Sequence, residues 1–81
     1  MIFETSITDL TLAINKWNDD YLLGLHNLGA TDDKAAWGAG NSMVTVERLP
    51  PMQGTPLARV ESVNYNAEHE PRNAETDAVL Q

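Results

Sequence analysis

The chain has 81 residues, no cysteine, 42% apolar residues and a formal net charge of −7 at pH 7. That length holds one small domain with a thin core, and the missing cysteines exclude disulfides, thiolate metal sites and a cysteine nucleophile. Twelve acids against five unclustered bases disfavour direct binding to nucleic acid or to an anionic membrane, and favour a protein partner.

Residues 1–12 carry Glu4 and Asp9, lack a basic start and hold no apolar run of signal-peptide length. No apolar stretch is longer than Tyr21-Leu22-Leu23, far short of the about 20 residues that span a bilayer. The expectation is a soluble protein, intracellular or in a virion, not secreted by a signal peptide.

Ile7, Leu10, Ile14, Trp17 and Tyr21 recur at spacings of three and four, one face of an amphipathic helix. Ser6 is placed to cap it, with Asp9 in the first turn where the helix dipole favours an acid. The polar residues between, Asn15, Lys16, Asn18 and Asp19 among them, are expected on the other faces. Gly24 and Gly29 put the helix end near Leu23 or Leu28. Thr31 then offers a cap for a short helical turn through Asp32, Asp33, Lys34, Ala35, Ala36 and Trp37, ended by Gly38 and Gly40.

From Met43 the rhythm changes to period two. Val44 and Val46 alternate with Met43, Thr45 and Glu47, which predicts a strand over 43–49. Pro50-Pro51 interrupts it and residues 52–56 read as turn or loop; a second strand over 57–65 then completes an antiparallel hairpin. Residues 66–77 have no large apolar side chain, the composition of an extended polar arm that something outside the chain must hold, with Val79 and Leu80 as its anchor.

No set of residues reads as catalytic or as a cofactor or metal site. His26 falls near the expected helix end, and His69 lies between Glu68 and Glu70 in the arm. Asp19-Asp20 and Asp32-Asp33 are adjacent pairs that need a fold to converge on anything. The Gly38-Ala39-Gly40-Asn41-Ser42 run lacks the Lys and following helix of a phosphate loop.

The sequence therefore predicts an α+β fold: a dominant N-terminal amphipathic helix with a short helical turn and a two-stranded antiparallel hairpin over 1–65, then an extended polar C-terminal arm over 66–81. The predicted function is non-enzymatic, a minor structural component docked on a larger protein assembly, of the kind found in viral or phage particles. Its partner-binding residues are Ile7, Leu10, Ile14, Trp17, Tyr21, Val79 and Leu80. The alternative is an acidic inhibitor that occupies the basic nucleic-acid groove of a target protein. A third reading is a helix-in-groove regulator anchored on Ile7, Leu10, Ile14 and Trp17.

Overall fold

Ser6 starts the helix as its side chain allows. In the computed structural model, which describes residues 2–65 and 74–81, Ser6 is extended and the Asp9 N–H donates to its Oγ at 3.0 Å. Helix α1 runs Ile7–Tyr21. It ends earlier than the glycines suggest, because Leu22 itself adopts the left-handed conformation, at φ 52°. The Leu22 and Leu23 N–H groups then bond back to the Asp19 and Asn18 carbonyls at 3.4 and 3.1 Å, which closes the last turn.

The rest is sheet. Strands β1 (Ile2–Thr5), β2 (His26–Ala30), β3 (Lys34–Ala39), β4 (Ser42–Met52), β5 (Thr55–Val63) and β6 (Ala74–Leu80) form one sheet in the order β1-β6-β5-β4-β3-β2. β1 runs parallel to β6, and every other pairing is antiparallel. This corrects the helix-led α+β expectation: the molecule is a six-stranded mixed sheet carrying one short helix, not a helix with a two-stranded hairpin.

Each correction has a local cause. Thr31 is a capping residue, but of a β-turn: its Oγ1 accepts from the Asp33 and Lys34 N–H groups at 3.2 Å each, and its own N–H reaches the Lys34 carbonyl at 2.7 Å. The Ala-rich segment after it, helical by propensity, becomes β3 because Ala35 and Trp37 pair with Val46 and Val44 and bury the same side. Gly40, at φ 58°, and Asn41 form the two-residue turn into β4.

The expected hairpin of β4 and β5 is present, with Val46 opposite Val60 and Thr45 opposite Glu61. Its turn is tighter than predicted. The register shifts between Leu49 and Met52, so the two prolines sit at a bulge, and Gln53 and Gly54 turn the chain with φ of 53° and 79°. Of the expected arm, residues 66–73, with His69, lie outside the described residues. Ala74–Leu80 is not a loose extension but a strand held on both sides.

One face of the sheet receives the helix. Ile7, Leu10 and Ile14 meet Ala35, Trp37, Val44, Val46, Ala58, Val60, Ala78 and Leu80 in a single core. Ala58 and Ala78 lie directly opposite each other and are fully buried, so the floor beneath the helix is shallow and admits close approach. Trp17 closes one end, edge-on to Tyr65 with ring centroids 5.9 Å apart.

Two helix residues expected to face water instead tie the helix to its surroundings. The Trp37 Nε1–H donates to Asn15 Oδ1 at 2.9 Å. Asn18 clamps the backbone of buried Leu25, donating to its carbonyl and accepting from its N–H, both at 3.0 Å. Removing that clamp leaves two part-buried backbone groups without their partner. Asn18→Ala is therefore expected to cost about 1–3 kcal/mol in urea unfolding. Leu22, 88% exposed, has no packing to lose and a strained backbone to relieve. Leu22→Gly is expected to raise stability by about 1 kcal/mol in the same measurement.

Candidate functional site

Because side chains alternate along a strand, every residue turned toward the helix has neighbours turned away. Those neighbours form the opposite face of the sheet, which no element covers among the described residues. The strand register sorts them into four rows.

In the first row, Gly38, Met43 and Val63 lie side by side, with Met43 and Val63 43% and 45% exposed. Gly38 leaves room there for Leu28, whose Cδ1 lies 3.2 Å from the place a Cβ on Gly38 would take. The second row is Ala36, Thr45, Glu61 and Glu75. The third is Lys34, Glu47, Arg59 and Asp77, a run of alternating charge across four strands. The fourth is Leu49, Leu57, Val79 and Glu4, apolar over β4, β5 and β6. A groove of about 630 Å³ opens along the β2 and β3 side of this face, lined among others by Leu28, Lys34, Ala36, Glu47 and Glu61.

Within the charged row the pairing is one-sided. Arg59 Nε lies 2.8 Å from Asp77 Oδ1 and 3.0 Å from Glu75 Oε1. The hydrogen bond from Arg59 holds the Asp77 carboxyl below its usual value, against a smaller opposing effect of desolvation; the same bond raises the already high pKa of Arg59. Lys34 and Glu47, although directly opposite, form no ion pair among the described residues.

The residues expected to meet a partner are distributed over both sides of the molecule. Ile7, Leu10, Ile14 and Leu80 are buried between helix and sheet, and Trp17 is packed against that core. Tyr21 is 55% exposed at the helix end. Val79 alone of the seven lies on the open sheet face, half-buried in the fourth row. Met43, Leu49, Leu57 and Val63 form the rest of that surface. Their period-two alternation was visible in the sequence, but which strands lie side by side was not.

The other candidates do not converge. His26 is an exposed residue at the start of β2. Asp33 pairs with Arg48 at 3.1 Å and Asp20 with Lys16 at 3.8 Å, both at the surface. Among the described residues no group of three or more His, Asp or Glu side chains could hold a metal ion, and no helix is long and apolar enough to cross a membrane. Comparison of the chain with known protein families, with curated proteins and with solved structures returns no match.

The Arg59–Asp77 pair makes the sheet sensitive to acid. A carboxyl whose pKa is lowered by folding adds stability above its ordinary value of about 4, and that stability is lost as the pH falls through the lowered value. Asp77→Asn is expected to unfold at lower urea than the wild type at neutral pH, with the gap closing as the pH falls below the ordinary carboxylate range, followed by circular dichroism.

Proposed function

We propose that the chain is a non-enzymatic structural subunit that docks on a larger protein assembly, such as the shell or connector of a viral or phage particle. The observation that carries this reading is the uncovered sheet face, where Leu28, Met43 and Val63 flank one side of a charged row and Leu49, Leu57 and Val79 the other. Apolar side chains gathered on one face with ordered charge between them are the surface of a docking protein, since association buries the apolar area and the charges set the register.

The distribution of acids favours this over the groove-blocking inhibitor. Asp9, Asp19 and Asp20 lie on the helix, Asp32 and Asp33 at a turn, and Glu4, Glu47, Glu61, Glu75 and Asp77 on strands where Lys34 and Arg59 interrupt them. Phosphate mimicry calls for an unbroken acidic row on one side.

In a native extract of the source cells or particles, the chain is expected to elute from a sizing column far above its 8.9 kDa. Met43→Lys and Val63→Lys are expected to shift it to small species. Elution of the wild type at the mass of one or two copies would count against an assembly role.

A further inference from the structure

The rows of the open face have a symmetry of their own. Across β3, β4, β5 and β6 the charged row reads Lys34, Glu47, Arg59, Asp77, that is plus, minus, plus, minus. Reversed, it reads minus, plus, minus, plus, the complement of itself. We propose that the open sheet face pairs with a second copy of this chain, around a two-fold axis parallel to the strands and passing between β4 and β5. This rests on the reading of that face as a docking surface and names its partner.

Such an axis keeps the level along the strands and exchanges β4 with β5 and β3 with β6. Lys34 then faces Asp77 of the second copy, and Glu47 faces Arg59. The outer rows match as well. Met43 meets Val63 of the second copy, and Leu49 meets Leu57, so apolar side chains lie on apolar ones at both ends. In the second row Glu61 meets Thr45, a hydroxyl donor, and Glu75 meets Ala36 while keeping its own Arg59. The groove beside Lys34 comes to lie opposite Asp77 and Glu75 of the second copy.

An alternating row is also what a solvated sheet shows when neighbouring strands pair their charges. Here that account covers only Arg59 with Asp77 and Glu75; Lys34 and Glu47 stand side by side without an ion pair among the described residues. Across the two-fold axis both gain an opposite charge. The axis keeps the strands of the two copies aligned, as in the aligned class of sheet-on-sheet packing. Isologous contact closes at two copies, so the second copy is the part of the assembly on which this face docks.

The strand spacing and rise give this face roughly 500–700 Å² per copy, at the lower end for specific pairs, so the dimer should dissociate in the micromolar range. The apolar rows supply most of the attraction, and the charges fix which alignment is allowed.

The test uses sedimentation equilibrium of the purified chain. The wild type is expected to pass from one copy to two across micromolar concentrations. Glu47→Arg sets a new arginine against Arg59 of the second copy, and Arg59→Glu sets a new glutamate against its Glu47, twice in each homodimer. Each variant alone should dimerise at least about tenfold more weakly. In an equimolar mixture the new arginine of one variant faces the new glutamate of the other, and Arg59 of the first faces Glu47 of the second, so the mixed pair restores opposite charges and the dimer should return as a heterodimer. A wild type that stays monomeric, reversals that leave dimerisation unchanged, or two folded variants that fail to recover together would each overturn the inference. Should Arg59→Glu not fold by circular dichroism, Met43→Lys decides: the site is 43% exposed, so the fold survives, and an undiminished dimer overturns the proposal. A monomeric wild type that still elutes in a large native complex removes only the self-pairing and leaves the assembly role standing; a dimer with no larger complex does the reverse.

Discussion

The backbone ladder that holds Ala74–Leu80 between β1 and β5 is the constraint on which the rest of the structure depends. Without it the sheet would stop at β5, and β1, which pairs with β6, would have no place in it. The same strand puts Ala78 and Leu80 under the helix and Asp77 beside Arg59 on the other side. The Gln81 N–H continues the pairing to the Thr5 carbonyl at 3.0 Å. Core, charged row and the continuity of both sheet faces all run through seven residues with few large apolar side chains.

Those seven residues also show why part of the fold was illegible. A strand paired on both sides satisfies its backbone through its neighbours, so its side chains need only fit, and Ala78 fits, fully buried opposite Ala58 on the core side. Composition measures how much apolar surface a segment brings, not how much its neighbours leave for it to cover. The segment Lys34–Ala39 failed for a related reason: Ala is the best helix former in isolation, yet pairing with Val44 and Val46 outweighs fractions of a kcal/mol per residue. By contrast the Ser6 cap, the apolar stripe from Ile7 and the β4–β5 hairpin were readable, since each rests on contacts within a few residues or on an unbroken period.

The candidate face was harder still to read. Its rows join residues such as Lys34 and Asp77 that lie far apart in the chain and are aligned only by the register of four strands. Each strand announces that it has two faces; nothing in any one of them says which outward residues will stand beside which. Asn15 and Asn18 were hidden differently. Their polarity assigned them to water, whereas each satisfies a group that burial would otherwise leave orphaned, the indole N–H of Trp37 and the backbone of Leu25.

The parallel pairing of β1 with β6 has a kinetic consequence. Helix α1, the β4–β5 hairpin and the pairing of β6 with β5 join residues close in sequence and can form early, but β1 must find β6 across nearly the whole chain. Loop closure over that distance makes the pairing of β1 with β6 the slow event in folding, as in other topologies rich in distant pairings. Until β1 docks, one edge of β6 stands open, from Asp77 to Leu80. The interval before that closure is when the chain is most exposed to pairing with the wrong strand.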